Sequence, residues 1–449
     1  MSRLDLQTFH TYNYCMVTIL FPVLAAVFGI GCLIGAFYVL HKKRLIDDLP
    51  TSKTQGVFIG LVELKGTAES EEPITSYLAG VQCIDYAWQV DEHWSRTVHE
   101  TYTDSKGHTH TRTRTESGWK QVAGGRKSIP FYLKDDTGII RVVPDGADIT
   151  GISVFNETCS PGNPLYYSKG PSGSVANSTH RRRFTETAVP LHTNLYIMGQ
   201  AREQQDVVAP EIAADKQSPM FVISTKTEKQ ISSRYTVWHW FWLVLGLVIT
   251  AGLIIGGSIA ETNTVAIQPF IIAVAGYLFA LLLGWIWTVY NSLVNLRHMV
   301  KRGWSQIDIQ LKRRHDLIPN LVRAVEGYRT HERDTQTLLA EMRTQTEATP
   351  LGETGPDFRG LAASLRVVME RYPDLKANES FLNLQKSLID TEQRIALARD
   401  YYNNIVTFYN TRLDIIPDRF AAAVAGMRHY ELMAAADFER PNVQVKLTE

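Results

Sequence analysis

Three long apolar runs constrain this chain more than any other feature of its sequence. They occupy residues 17–40, 237–260 and 265–289, and none contains Asp, Glu, Lys or Arg. About 20 apolar residues suffice for a helix to cross the roughly 30 Å hydrocarbon core of a bilayer. The runs therefore predict three transmembrane helices, with 1–16 as a short external tail.

The first run is interpreted as a retained anchor rather than as a signal peptide. A signal peptide carries its positive charge before a hydrophobic region of about 7–15 residues. Here Lys42, Lys43 and Arg44 follow the run, and the run is longer than such a region. We therefore expect the run to remain part of the protein.

Basic residues near the runs predict the orientation of the chain. They cluster after the first run, before the second and after the third, whereas the Glu261–Thr264 connection has none. Because cytoplasmic flanks are enriched in Lys and Arg, residues 45–236 and the chain after 290 are expected on the cytoplasmic side. The prediction is a multi-pass protein of the bacterial inner (cytoplasmic) membrane with its N-terminus outside.

Aromatic residues support the same orientation. Tryptophans mark the start of the second run and the end of the third, where amphipathic rings prefer the membrane–water interface. The expected interface residues are Lys42, Lys43, Arg44, Trp238, Trp240, Trp242, Trp285 and Trp287. The absence of charged residues inside the runs argues against a proton relay or an ion pathway.

Composition excludes several functional classes. The chain has 46 basic and 46 acidic residues, so no global charge draws it to nucleic acid. Its four cysteines form no CxxC pair, which argues against a zinc ribbon or a thioredoxin-like site. The sequence also lacks a phosphate loop and a nucleophile elbow. We therefore expect no cofactor, no catalytic residue and no nucleic-acid partner.

Residues 45–236 are predicted to form a β-rich cytoplasmic domain. Short alternating segments are separated by frequent Gly, Thr and Ser turns, a pattern typical of β structure. The clearest predicted strands are 56–66, 75–87, 129–133, 138–143 and 194–199.

A long β-hairpin is predicted around the turn Asp104–Gly107. The following stretch, HTHTRTRT from 108 to 115, alternates two residue types. A strand places alternate residues on opposite faces, so His108, His110, Arg112 and Arg114 are expected on one face.

Three interpretations of this face stay open. One is a metal site with His99, His108 and His110, and another is a solvated face. The third is contact with lipid or a partner through Arg112, Arg114, Arg181, Arg182 and Arg183.

The region between the first two runs resembles the GIDE family. The resemblance rests on KGTAESEEPITSYLAGVQCIDYAWQVDEHW, SIPFYLKDDTGIIRVVPDGADI and ETAVPLHTNLYIMGQA, in that order, and covers about 17–260. Family members include mitochondrial-membrane E3 ubiquitin ligases with a "beside a membrane" domain between two helices. Ligase activity there belongs to a C-terminal RING, whereas this chain has no cysteine after Cys159. The resemblance therefore implies the fold without the ubiquitin chemistry.

From Tyr290 onward the apolar pattern takes the helical period. Because no breaker separates this region from the third run, one helix is expected to continue out of the membrane. Pro319 is expected to kink or end it. Further helices are predicted at 332–347, 361–371 and 378–416, with a loop at 349–358. Together they predict a long antiparallel helical bundle over 290–440, followed by a tail at 441–449.

This half of the chain resembles the LemA family. The resemblance rests on WSQIDIQLKRRHDLIPNLVRAVEGYRTHE and YPDLKANESFLNLQKSLIDTEQRIALARDYYNNIVTFYNTRLDIIP. It implies a membrane-anchored helical bundle, and one branch of the family is involved in magnetosome membranes. Usual members carry one N-terminal span, whereas this chain has three runs and a second domain.

Polar residues on the bundle helices are predicted to pair between helices. Arg313, Arg314, His315 and Asp316 are adjacent on one helix and fan over different faces, which does not make a convergent acid–base site. The predicted network is Arg313, Arg314, His315, Asp316, Asn320, Asp390, Glu392 and Arg394.

The apolar stretch FAAAVAGM begins at Phe420. It can dock on the bundle, on a neighbouring subunit or on the membrane surface, and Phe420, Val424 and Met427 are its candidate assembly contacts.

The sequence thus predicts a membrane α+β protein with three transmembrane helices, a β-rich cytoplasmic domain and a long antiparallel helical bundle. The expected function is a non-enzymatic scaffold that self-assembles on the cytoplasmic face, in membrane organisation or envelope stress. Its expected partners are membrane lipids, further copies of itself and an unidentified protein. One alternative is a membrane-tethered adaptor or sensor that binds a lipid, peptide or protein through the β-rich domain. Another is a ubiquitin-ligase-like transferase, through GIDE kinship.

Overall fold

The computed structural model describes residues 3–103, 109–203, 209–215, 220–262, 267–326 and 379–433. The chain divides into two compact units. The helical unit comprises Met1–Pro50 and Lys229–Glu449, and the β unit comprises Thr51–Glu228. The predicted helices at 332–347 and 361–371, the loop at 349–358, the tail at 441–449 and the hairpin turn with His108 lie outside the described residues.

Three helices of the described chain are long and apolar enough to cross a membrane. The helices are α1 Arg3–Asp47, α2 Leu165–Ser168, α3 Glu228–Thr262, α4 Ile267–Glu326, α5 Glu379–Asp414 and α6 Asp418–Val424. By length and composition, the candidate spans are Leu20–Asp47, Glu228–Ile259 and Ile267–Leu317. The three apolar helices are therefore confirmed, and each helix is longer than the apolar run that predicted it.

α4 is one continuous helix of 60 residues. It begins in the third apolar run, as expected, and carries the helical pattern that follows. It does not end at Pro319, because its helical conformation continues to Glu326. A proline removes one backbone hydrogen bond, and the loss of one bond does not end a helix of this length.

The β unit contains two sheets. Its strands are β1 Thr51–Ser52, β2 Gly60–Glu69, β3 Ile74–Thr75, β4 Gln82–Thr103, β5 Thr109–Ser128, β6 Phe131–Lys134, β7 Ile139–Val142, β8 Asp148–Thr150, β9 Ile152–Cys159, β10 Ser178–Pro190, β11 Asn194–Glu203, β12 Pro210–Ala213 and β13 Val222–Ser224. The predicted β-rich domain is confirmed, and each predicted segment contains a strand, although in the segment 75–87 the strand β4 begins only at Gln82.

Five strands of the first sheet close into a small barrel. β2 pairs with β6, β6 with β7, β7 with β12, β12 with β11, and β11 returns to β2. Val62, Leu64, Leu133, Ile197 and Ile212 fill its core and are almost completely buried. Each such side chain contributes about 1.5–3 kcal/mol when removed from water. Closure also removes the open edges that strands otherwise present to other chains.

The second sheet is built around β4. β10 and β9 follow on one side of β4, and β5 forms the long hairpin with it. The hairpin register pairs Tyr102 with His110 and Trp94 with Gly118. The alternating sequence of 108–115 thus predicted this hairpin correctly.

The turn between β6 and β7 is held by one carboxylate. Asp135 accepts hydrogen bonds from the amide and hydroxyl of Thr54 at 2.8 and 2.6 Å. It accepts three more from the Thr137 amide, the Thr137 hydroxyl and the Gly138 amide, at 2.7, 2.7 and 3.0 Å. Burial alone would raise the pKa of Asp135, but these hydrogen bonds outweigh it and lower the pKa to about 2.

Replacing Asp135 with asparagine is expected to lower the free energy of unfolding of the β unit by about 1–3 kcal/mol, because charge-assisted hydrogen bonds are lost. Because the pKa of Asp135 is lower in the folded state than its unfolded value of about 3.9, the ionised carboxylate stabilises the fold fully when the pH is above about 3.9. This stability is lost as the pH falls toward 2. Denaturant unfolding at pH 7 and pH 3 measures both effects. Asp136→Asn is the matched control, since Asp136 forms an exposed pair with Lys53, and an equal loss in both variants would contradict the prediction.

Candidate functional site

α4 and α5 form an antiparallel pair through the polar residues predicted for the bundle. Arg313 Nη1 lies 3.8 Å from Asp390 Oδ2, and Arg314 Nη1 lies 3.8 Å from Glu392 Oε1. Within α5, Arg394 Nε donates to the same Asp390 oxygen at 2.9 Å. The structure thus brings these five residues together between the two helices.

The remaining network residues lie on other faces of α4. Asp316 is exposed and His315 is half-buried. The Asn320 side chain donates to the Asp316 backbone carbonyl at 3.1 Å, within the same helix. The adjacent polar residues therefore do not converge on one point, which agrees with a structural rather than an acid–base role.

Four charged side chains meet where α1, α4, α5 and α6 come together. Arg412 Nη1 lies 3.1 Å from Asp418 Oδ2, and Arg412 Nε lies 3.5 Å from Asp48 Oδ1. Arg44 Nη2 is 3.9 Å from Asp418 Oδ1, and the Ser292 hydroxyl donates to Asp48 at 2.7 Å. We call Arg44, Asp48, Arg412 and Asp418 the charge cluster.

The charge cluster lies largely out of water. Asp48 and Asp418 are buried, and burial raises the pKa of Asp48 although Arg412 and the Ser292 hydrogen bond oppose the shift. Buried charges are stable only when they are paired. The cluster therefore joins the end of the first apolar helix to α5 and α6. The sequence prediction placed Arg44 at a membrane interface and missed this role.

The other predicted interface residues divide into exposed and packed groups. Trp238, Trp240 and Trp287 are exposed, whereas Trp242 and Trp285 are half-buried. Lys43 pairs with Asp47, and the Lys42 ammonium lies 4.7 Å from the centre of the Tyr38 ring. The exposed rings are free to contact a bilayer.

The hairpin register separates the histidines of the predicted metal site. His99 lies opposite Thr113 and its Nδ1 is 3.2 Å from the Thr113 hydroxyl. His110 lies opposite Tyr102. Directly opposed residues share a face and neighbours alternate, so His99 is on the threonine face and His110 is on the other. The prediction of a metal site that includes both His99 and His110 is therefore wrong. No group of three metal-ligating side chains occurs among the described residues.

Arg182 and Arg183 were predicted to belong to an exposed basic surface, but the structure holds both of them in contacts with other residues of the β unit. The Arg182 side chain is 1% exposed, and its Nη2 lies 3.0 Å from Glu92. It also donates to the carbonyls of Tyr166, Pro171 and Gly173 at 3.0, 2.8 and 2.7 Å. Arg182 thus anchors the loop before β10 and is unavailable to a partner.

Arg183 is held on the sheet in a different way. Its guanidinium lies 2.8 Å from Asp91 and 4.8 Å from the centre of the Trp119 ring. Arg112, Arg114 and Arg181 are exposed. The basic surface that remains is therefore smaller than the sequence indicated.

α6 presents apolar side chains to the surface. Val424 is 92% exposed and Phe420 is 63% exposed, and Ile415 and Ile416, which precede α6 in the sequence, are also exposed. Met427 is half-buried. We call Ile415, Ile416, Phe420 and Val424 the α6 patch. Two of the three predicted assembly contacts thus belong to an exposed apolar surface.

Two protein families match separate parts of the chain. Residues 303–447 match the LemA family, and residues 99–256 match the GIDE family, which is described as an E3 ubiquitin ligase. The LemA match contains α5, α6 and the end of α4. The GIDE match contains much of the β unit and most of α3.

Individual relatives are similar over about a third of this chain. A protein named LemA from Metamycoplasma hominis is 23% identical over 174 residues, which are 37% of this chain and 80% of that protein. Magnetosome protein MamQ 2 of Paramagnetospirillum magneticum is 22% identical, over 32% of this chain and 63% of its own length. Magnetosome protein MamQ of Magnetospirillum gryphiswaldense is 21% identical over the same shares. The chain therefore contains one region that matches the LemA family and another that matches the GIDE family.

Proposed function

We propose that this protein is a membrane-anchored scaffold that associates laterally with its own copies on the cytoplasmic face of the inner membrane. Three apolar helices and the LemA and magnetosome relatives support membrane association. The basic residues that flank the apolar runs support the orientation. Organisation of the membrane is the process that this arrangement fits best.

The observation that carries the proposal is the position of the α6 patch along the apolar helices. Ser292, which binds Asp48, lies three residues after the third apolar run, about 5 Å along a helix. Arg44, which contacts α6 through Asp418, lies four residues after the first run, about 6 Å along its helix. The charge cluster therefore holds α6 close to the level at which the apolar runs end.

This position makes a second copy the best occupant of the α6 patch. Every copy holds the patch at the same height above the membrane, so the patches of neighbouring copies can meet as they diffuse in two dimensions. Exposed contiguous apolar side chains mark interaction surfaces in soluble regions of proteins. Burying Phe420 and Val424 against a neighbour contributes about 1.5–3 kcal/mol for each side chain.

Replacing both Phe420 and Val424 with aspartate is expected to weaken association at least about 100-fold, since about 3 kcal/mol of burial is lost. Mass photometry of the gently solubilised protein, followed by electron microscopy, measures particle size and shape. We expect large particles for the wild type and single copies for the double variant.

Ile389→Asp is the matched control, because Ile389 is an exposed apolar residue on α5 outside the α6 patch. It should leave particle size unchanged. Monodisperse single copies of the wild-type protein would refute the scaffold. Large particles of the aspartate variant would instead show that the patch faces lipid or the rest of its own chain.

An adaptor role through the hairpin is the second candidate, favoured by the exposed Arg112 and Arg114. Each basic residue near an anionic surface contributes about 1 kcal/mol. We expect Arg112→Glu with Arg114→Glu to reduce labelling by a photoactivatable phosphatidylserine about 30-fold or more, without a change in particle size. Unchanged labelling would reject lipid contact through this face.

A further inference from the structure

Two asparagine side chains on α5 bind the backbone of the segment that follows α6. The Asn410 amide nitrogen donates to the Tyr430 carbonyl at 2.8 Å, and the Tyr430 amide donates to Asn410 Oδ1 at 3.0 Å. Asn403 pairs in the same way with Met433, at 3.0 and 2.9 Å. Each asparagine thus satisfies both backbone groups of one residue, as a neighbouring strand would. We call Asn403 and Asn410 the asparagine clamp.

The spacing of the asparagine clamp matches the repeat of an extended chain. Seven residues along a helix span about 10.5 Å, and three residues of an extended chain span about 10 Å. The earlier asparagine binds the later residue, so the bound segment runs opposite to α5. The clamp therefore selects a segment by its extended backbone.

Side-chain contacts add selectivity around Tyr430. The rings of Tyr430 and Tyr409 lie 5.4 Å apart, and the Tyr402 hydroxyl donates to the Glu431 carbonyl at 3.3 Å. His429 Nε2 lies 3.1 Å from Asp414 Oδ1. The clamp thus fits an extended segment with a tyrosine at its first bound position.

We propose that the asparagine clamp is a peptide-binding site that takes residues 428–433 of a second copy in the assembled protein. This rests on the proposed function, because it requires that copies associate. A segment from another copy makes the same contacts as the segment of the same chain, which is why exchange of identical elements joins copies at low cost.

The connection to α6 favours exchange between copies. The segment leaves α6 through Gly426, whose φ of 62° lies in the left-handed region that glycine adopts readily. A change of the backbone conformation at Gly426 redirects the segment. α6 itself stays in place, because Asp418 lies 3.1 Å from Arg412. Tyr430 lies six positions after Val424 of the α6 patch, a reach of about 20 Å. Copies that meet at the patch therefore bring each segment within reach of the neighbouring clamp.

Photocrosslinking between differently tagged copies tests the exchange. Leu432 is 56% exposed, so a photoreactive amino acid there reports on the bound segment without replacing a clamp contact. Two tagged forms of the full chain are co-expressed and purified in nanodiscs. We expect crosslinks from position 432 of one form to α5 of the other.

Three variants identify the asparagine clamp as the binding site. Asn403→Ala with Asn410→Ala should reduce crosslinks between copies at least tenfold, whereas Asn404→Ala is the matched control on an exposed face of α5. Met433→Pro removes the amide that Asn403 binds and leaves both helices unchanged. It should also reduce the crosslinks, which keeps the test valid if the double alanine variant fails to fold.

The outcomes separate this inference from the proposed function. Crosslinks confined to one chain, in particles that contain several copies, would overturn the exchange and leave the scaffold standing. Crosslinks between copies that persist in the alanine and proline variants would show that the clamp is not the binding site. Particles that contain single copies would overturn both proposals.

Discussion

Replacing Arg182 with methionine is expected to lower the free energy of unfolding of the β unit by about 3–5 kcal/mol. The change leaves Glu92, which is fully buried, without its cation. Breaking a buried ion pair by removal of one partner has a cost of this size, because an uncompensated charge stays in the interior. The carbonyls of Tyr166, Pro171 and Gly173 also lose their donor.

The neighbouring arginine provides the control for this prediction. Arg181 precedes Arg182 in β10 and is exposed, so Arg181→Met should change the stability by about 0.5 kcal/mol or less. Denaturant unfolding followed by tryptophan fluorescence gives both values. Adding Glu92→Gln to Arg182→Met should recover part of the loss, since the orphaned charge is then removed. Equal stability of the two methionine variants would refute the role of Arg182 as an anchor.

Local patterns predicted much of this fold because they depend on neighbouring residues. The alternation of 108–115 defines a strand whatever the rest of the chain does, and the hairpin forms where that alternation occurs. The apolar runs likewise predicted helices without knowledge of any partner. The sequence also predicted polar contacts between Arg313 or Arg314 and the long helix, because two long helical patterns joined by a connection pack side by side, but it did not specify which carboxylate each arginine contacts.

Burial of single charged residues could not be predicted in this way. Arg181, Arg182 and Arg183 are three identical residues in sequence, yet only the middle one enters the interior. Its partner Glu92 lies 90 positions earlier, and β10 and β4 must pair in the observed register before the two meet. The three arginines in sequence therefore suggest an exposed basic patch, whereas in the fold Arg182 is a buried anchor.

The asparagine clamp was missed for a related reason. The seven-residue spacing of Asn403 and Asn410 was visible, but it agrees equally with a polar helix face. Only the return of 428–433 along α5 reveals what the two amides bind. Likewise, the exclusion of a His99–His110 metal site required the register of the hairpin, which sequence alternation leaves undetermined across the turn.

Replacing Arg412 with methionine is expected to destabilise the helical unit by about 3–5 kcal/mol, because Asp48 and Asp418 then lose their closest cation. Thermal unfolding of the detergent-solubilised protein measures the effect as a lower midpoint temperature. Arg419→Met is the matched control, since Arg419 lies on α6 but is exposed. The control should stay close to the wild type.

The effect of Arg412→Met should also depend on pH. Burial already raises the pKa of Asp48, and loss of the positive charge of Arg412 raises it further. A carboxyl group with a raised pKa in the folded state destabilises the fold once it ionises, so the difference from wild type grows as pH rises through the Asp48 pKa of the wild type and becomes constant above the higher pKa of the variant. The midpoint difference from wild type should therefore be smaller at pH 5 than at pH 8. A difference independent of pH would mean that Asp48 finds another cation when Arg412 is removed, and Arg44 is the residue of the charge cluster that could supply it.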